Sequence, residues 1–251
     1  EGLGAVHGNR WVPPKYRAGF DRFVGWESGH ADHWKAPVWR DDPDARQQLE
    51  GHETDGLTTI ACNELEQLAS RERPFALFLS YQAPHPPCSA PSQYVERYRR
   101  KEKLHERPNI PSHDMTYDVP AWNYRPDLRE FINHYFAEIT HLDAAIQRVL
   151  DTMTRLQLDN NTVFIFTSDH GELAGAHGYL GKGPMYEESV HIPLFVRGPG
   201  IVPRRTDALF SSVDFYPTVL ELCGAAVPDT AEGVSQASVI HGSDSNPRSS
   251  L

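Results

Sequence analysis

Residues 162–184 read TVFIFTSDHGELAGAHGYLGKGP, and the reading of this stretch decides the fold. Residues 162–167 (TVFIFT) form a short, nearly continuous apolar run, the pattern of a sheet strand buried on both faces. The run stops at Ser168-Asp169-His170-Gly171, so the strand delivers polar groups at its carboxyl end. From Asp169 to Pro184 the chain packs five glycines with carboxylate, imidazole and ammonium side chains into one loop. Ordering so glycine-rich a loop is costly unless it surrounds something.

Working outward, residues 74–80 (PFALFLS) repeat the pattern: a second buried-type strand, ended by Ala83-Pro84-His85-Pro86-Pro87, leaves His85 just beyond its carboxyl end. Residues 54–68 place Leu57, Ile60, Ala61, Leu65 and Leu68 on one helical face, and residues 128–153 repeat apolar positions over several turns of a long amphipathic helix. Residues 94–126 are polar and studded with proline. A third strand is expected over residues 191–197 (HIPLFVR), and a helix over residues 212–223, with Pro217 near its start and Gly224 just past its end. Helix and strand in alternation predict an α/β fold with a largely parallel central sheet flanked by helices. One domain is expected over residues 1–241, with residues 242–251 (GSDSNPRSSL) a tail too polar to order itself by burial. Residues 1–50 lack a sustained period and read as long ordered loops.

The chain has 251 residues, 10% aromatic and 23% charged, enough to bury a substantial core. Its formal net charge of −10, with basic residues dispersed apart from the interrupted RYRRKEK at 97–103, argues against nucleic acid as a partner. Three widely spaced cysteines, Cys62, Cys88 and Cys223, suggest structural thiols and neither zinc nor redox chemistry. No apolar run is long enough to span a bilayer.

In open α/β sheets ligands bind outside the carboxyl ends of strands, which predicts that His85 and Asp169-His170 converge on one site. A carboxylate and an imidazole on a sharp turn suit a shared cation where the backbone is irregular, and Gly171 permits that. Taken alone, Ser-Asp-His-Gly is better read as a simple turn, and a lone Lys182 as a solvated charge. Gly181 and Gly183 on either side of Lys182, and the loop around them, favour an anion site.

At this point a family resemblance becomes specific. FTSDHGELAGAHGYLGKGPMYEESVHIPLFVRGPG, residues 166–200, resembles the sulfatase branch of the alkaline-phosphatase-like superfamily. Residues 74–87 (PFALFLSYQAPHPP), 12–30 (VPPKYRAGFDRFVGWESGH) and 211–224 (SSVDFYPTVLELCG) resemble further segments of the same family, so the likeness covers nearly the whole chain. It implies an alkaline-phosphatase-like sandwich and hydrolysis of sulfuric esters, with sulfated carbohydrate as the substrate class. Asp169 and His170 match two metal ligands, and the implied divalent metal is calcium. Since many relatives carry Asn at the position of His170, manganese or zinc stays open. His85 and Lys182 match the catalytic pair that contacts the sulfate, with His85 a proton donor to the leaving alcohol. His30 and His33 lie where relatives line the substrate pocket, though loop packing explains them equally well. His177, Asp143 and Asp214 read as structural.

The family's nucleophile is a Cys or Ser in C/S-x-P/A-x-R, oxidised to formylglycine by a maturation enzyme. None of the three cysteines has Arg four residues on; Cys88 comes nearest, with Ser92 in that place, and matches a packing residue. The paired aspartates that complete the metal site and the family's C-terminal subdomain also have no counterpart here. The chain therefore reads as an internal stretch of a longer protein, inactive alone, with formylglycine expected upstream and a periplasmic or secreted location implied for the whole. Two alternatives stay open: a phosphonate or phosphate ester hydrolase of the same superfamily, and a non-catalytic protein that binds sulfated glycans.

Overall fold

The computed structural model describes residues 10–27, 29–99, 107–111, 116–117 and 127–243; most of the expected tail, residues 244–251, lies outside them. The chain gathers into two compact units, Glu1–Leu156 with Ala174–Tyr179, and Gln157–Leu173 with Leu180–Leu251. Each is described by itself.

The first unit is built on two packed helices. Glu53–Ala69 is capped by His52, whose ring accepts from the Thr54 N–H, and it buries Leu57, Ala61 and Leu65. Leu128–Arg155 is capped by Asp127, which accepts from the Glu130 N–H, and it buries Phe131, Ile132, Leu142, Ala145, Val149 and Met153. Both follow the apolar periodicity, and each large side chain so buried contributes about 1.5–3 kcal/mol. A third helix, Ser92–Arg99, was not expected; it runs into the segment read only as polar and proline-studded. It forms because Tyr94 and Tyr98, one turn apart, dock on the long helix: Tyr94 stacks on His141 at 4.9 Å, and the Tyr98 hydroxyl bonds Thr140. The remainder of residues 100–126 is described only at 107–111 and 116–117.

The loops of the first segment are ordered by their aromatics and by one buried cation. Arg17, 6% exposed, donates to the carbonyls of Val12 and Arg40 and to Asp41. Pro37–Val38 pairs antiparallel with Gln47–Gln48, and Ala31, Ala36, Val38, Leu49 and Leu57 form a small core. Residues 74–80 differ from expectation. They form no strand among the described residues, and Phe78 is 75% exposed. The run has strand composition, but no described segment offers it a ladder. Only Leu79 and the following Tyr81 pack against the core.

In the second unit Phe164–Thr167 is the expected strand, paired with Leu194–Arg197 from Phe164↔Arg197 to Thr167↔Leu194. The pair is antiparallel, where the sequence predicted a largely parallel sheet. A parallel return needs a crossover, usually helical, and the helix described between these strands, Glu187–Val190, has only four residues. Burial on both faces is not met either, since Phe195 is 64% exposed. The α/β class itself stands. Downstream, Ser212–Asp214 and Phe215–Leu222 form the expected helix. Asp214 is fully buried and accepts from the N–H groups of Ser211 and Val234 at 2.9 and 2.8 Å, a structural role as the sequence suggested. Among the described residues no helix is long and apolar enough to cross a membrane.

Candidate active site

The strand Phe164–Thr167 ends where Ser168, Asp169 and His170 begin. The turn is held locally: the Ser168 hydroxyl donates to the His170 carbonyl, and the His170 N–H donates to Asp169 Oδ1 at 2.9 Å. The His170 ring contacts the Gly171 carbonyl through Nδ1 at 2.8 Å, which requires the proton to sit on Nδ1. In the neutral ring Nε2 then carries a lone pair, 3.4 Å from Asp169 Oδ2. A carboxylate oxygen and an imidazole nitrogen at this separation can both reach one cation at ordinary metal–ligand distances of about 2.0–2.6 Å. The Asp169 side chain is 84% exposed and that of His170 35%, so an ion can approach. The residues present fit a divalent metal.

The backbone beside the pair admits no side chain. A Cβ on Gly171 would lie 2.1 Å from the Glu188 carbonyl oxygen, and the Gly171 N–H donates to the Ser189 carbonyl at 2.8 Å. Ser189 in turn donates its hydroxyl to the Lys182 carbonyl. Buried Glu172 accepts from the Gly181 N–H at 2.7 Å, and the Leu173 N–H donates to Gly181 O at 2.9 Å. Lys182 is therefore held on the same hydrogen-bonded loop base as the Asp169–His170 pair. The glycine-rich loop is ordered by its own buried acid, a role that sequence reasoning did not assign to Glu172. His177 contacts Asn109 through both its backbone and its ring, which ties the glycine-rich loop to a segment far away in sequence.

His85 belongs to the first unit, whereas Asp169, His170 and Lys182 belong to the second. The His85 ring stacks on exposed His30, centroids 3.7 Å apart, and its Nδ1 contacts the Pro86 carbonyl at 2.6 Å. With the proton on Nδ1, Nε2 is the atom that can take up or give one. The sequence singled out both histidines, and the structure brings them face to face. Cys88, three residues on, is buried with its thiol toward the Pro84 carbonyl, as a packing residue.

Beneath this loop lies a group that sequence reasoning mostly missed. His33, His52, Glu53, Glu138 and His141 are each at most 3% exposed. His33 Nδ1 lies 3.3 Å from Glu53 Oε1, and His33 Nε2 lies 3.9 Å from Glu138 Oε1. Burial alone would lower the His33 pKa, but Glu53 and Glu138 outweigh it and raise it. Burial, less the offset from His33 and the Ser89 N–H, lifts Glu138 to about 7. Burial and then the neighbouring His141 and His33 push His52 down to about 4. His33, His52 and Glu138 offer ligand atoms within 4.8 Å of one another, a possible His/Glu metal site. His52 fits such a role poorly: its Nδ1 accepts the Thr54 N–H, so the ring proton sits on Nε2 and no lone pair remains there. The signal available in the sequence was Glu138 and His141 falling within the apolar stripe of the long helix, where an unpaired acid is not expected.

Comparison with known proteins bears on the family and the fold. The chain is 30% identical over 240 residues to an ulvan-active sulfatase of Formosa agariphila, covering 93% of this chain and 45% of the relative. It is 30% identical over 237 residues to an endo-4-O-sulfatase of Bacteroides thetaiotaomicron, covering 89% of this chain and 44% of that one. The chain thus spans less than half the length of the curated relatives it matches. Among solved structures, the YidJ sulfatase homologue of Bacteroides fragilis superposes with a TM-score of 0.80 at 29% identity, over 93% of this chain and 51% of that one. The fold is accordingly the alkaline-phosphatase-like α/β fold, in a family that uses a divalent metal. The family model described as Sulfatase matches residues 5–225, and the chain belongs to the sulfatase family.

Proposed function

We propose that the protein containing this chain is a sulfuric ester hydrolase that acts on sulfated carbohydrate. The observation that carries the reading is the Asp169–His170 pair, an oxygen and an imidazole lone pair 3.4 Å apart at the end of a strand. Relatives named as an ulvan-active sulfatase and an endo-4-O-sulfatase support the substrate class. Asp169 and His170 would hold calcium, which when bound would offset charge on the sulfate oxygens; a formylglycine would supply the attacking oxygen in the complete protein. The Lys182 ammonium would meet the sulfate and lower the energy of the charge that builds on its oxygens. His85 gives its Nε2 proton to the departing sugar oxygen, which spares the expulsion of an alkoxide. His30, stacked on His85, lines the sugar side.

The test is sulfate release from sulfated oligosaccharides by the whole protein. His85→Ala and Lys182→Ala should each lower kcat/KM by about 100-fold or more. Near-normal rates in both variants contradict the assignment. A phosphonate monoester hydrolase of Agrobacterium radiobacter shares the fold, with a TM-score of 0.62 at 24% identity, and that likeness speaks to fold alone. Preference for phosphonate over sulfate esters in the same assay would reverse the reading.

A further inference from the structure

The loop that carries His85 is tied to buried ionisable groups at three points. At its start, Gln82 brackets Ala31, accepting from its N–H at 2.7 Å and donating to its carbonyl at 3.2 Å, and also donates to Glu53 Oε2. In the middle, the His85 carbonyl accepts from His33 Nε2 at 3.1 Å. At its end, the Ser89 N–H donates to Glu138 Oε1 at 2.7 Å, while Trp34 Nε1 donates to the Ser89 carbonyl at 3.0 Å. His33 links the two carboxylates, and all three groups are at most 3% exposed.

Two carboxylates and an imidazole in a core are a poor way to gain stability, because the desolvation of such groups rivals their attraction. Apolar residues of similar size would pack the same space at no such cost. What apolar residues cannot do is hold a proline-rich loop, which has few N–H groups of its own, by its remaining polar atoms. His33 and Glu138 bond the main chain within the loop, and Glu53 acts through the amide of Gln82. Fixing the main chain on both sides of His85 fixes where its ring stands, and an error of about 1 Å in a proton donor costs roughly 100-fold in rate.

We infer that His33, Glu53 and Glu138 are positioning residues for His85, clamping the Gln82–Ser89 loop from beneath so that its imidazole is set for proton transfer. The inference rests on the hydrolase reading. It is tested on the whole protein with Glu138→Ala, Glu138→Gln and Gln82→Ala, by two readouts. The first, hydrogen exchange, needs no activity: Glu138→Ala and Gln82→Ala should speed exchange across residues 82–90 by about tenfold, the loss of roughly one hydrogen bond. The second compares leaving groups. An alkyl sulfate needs its oxygen protonated and should lose about 100-fold in kcat/KM in Glu138→Ala. p-Nitrophenyl sulfate, whose leaving group departs readily as an anion, should lose less than about tenfold. Glu138→Gln keeps an oxygen for the Ser89 N–H and should restore most of both properties. Unchanged exchange overturns the clamp, and so does an equal loss on the two substrates. If Glu138→Ala does not fold, Gln82→Ala, at a half-buried position, decides by the same two measures. A wild type that hydrolyses no sulfate ester refutes the functional reading instead, and exchange still decides whether the loop is clamped.

Discussion

Replacing Gly171 with alanine adds one methyl group where none fits. The new carbon would stand 2.1 Å from the Glu188 carbonyl oxygen and 3.0 Å from its carbon. Even weak carbon–oxygen contacts lie at about 3.3–3.6 Å, so one of the two backbone segments must retreat by about 1 Å. Overpacking of this kind costs about 1–3 kcal/mol. The retreat also strains the Gly171 N–H bond to the Ser189 carbonyl, worth about 1 kcal/mol more. We expect Gly171→Ala to destabilise the protein by about 2–4 kcal/mol in urea denaturation followed by tryptophan fluorescence. The same movement shifts the Gly171 carbonyl that holds the His170 ring, so calcium should stabilise the variant less than it does the wild type. A loss below about 0.5 kcal/mol with an unchanged calcium effect would refute the close-approach argument.

Further expectations concern the buried groups and the exposed ones. His52, held near 4 in the folded state against 6.5, contributes stability that falls as pH drops from 6.5 toward 4. Glu138, held near 7 against 4.5, contributes stability that falls as pH rises from 4.5 toward 7, and raised His33 acts in the same sense above 6.5. The His52 and Glu138 displacements each correspond to about 3 kcal/mol and they oppose, so His52→Gln should make stability fall with rising pH and Glu138→Gln should make it rise; denaturation midpoints between pH 4.5 and 7 check both. Asp214→Ala strands the N–H groups of Ser211 and Val234 and should cost about 3 kcal/mol, with Asp214→Asn costing less, by the same denaturation assay. The 251-residue chain alone exposes Phe78, Met185 and Phe195, and should bind an apolar dye and self-associate; a monomer that melts cooperatively without dye binding would contradict that.

The two long helices were legible because period and caps agree: the apolar stripe of Leu128–Arg155 begins at an Asp that caps it. The strand before Asp169 was legible for the same reason, a short apolar run cut off by turn residues. Pairing direction was not, because a run such as FIFT looks the same in parallel and antiparallel ladders, and only the connection decides. Residues 74–80 show the converse: strand composition describes what a segment can do once it has a partner. The exposed or half-buried candidates, Asp169, His170, Lys182, His85 and His30, stood out through family motifs, whereas buried Glu53, Glu138 and His52 did not. A buried acid within an apolar stripe is a single-residue exception that periodicity averages away, and its partners lie in segments far apart in sequence.

The most direct test of the account is sulfate release from a sulfated oligosaccharide by the whole protein, after chelation and on return of calcium, in the wild type and in Asp169→Ala. The account predicts activity that chelation removes and calcium restores in the wild type, and a loss of at least about 100-fold in the variant that added calcium does not recover. A wild-type rate indifferent to chelation, or an Asp169→Ala variant of near-normal rate, would contradict it.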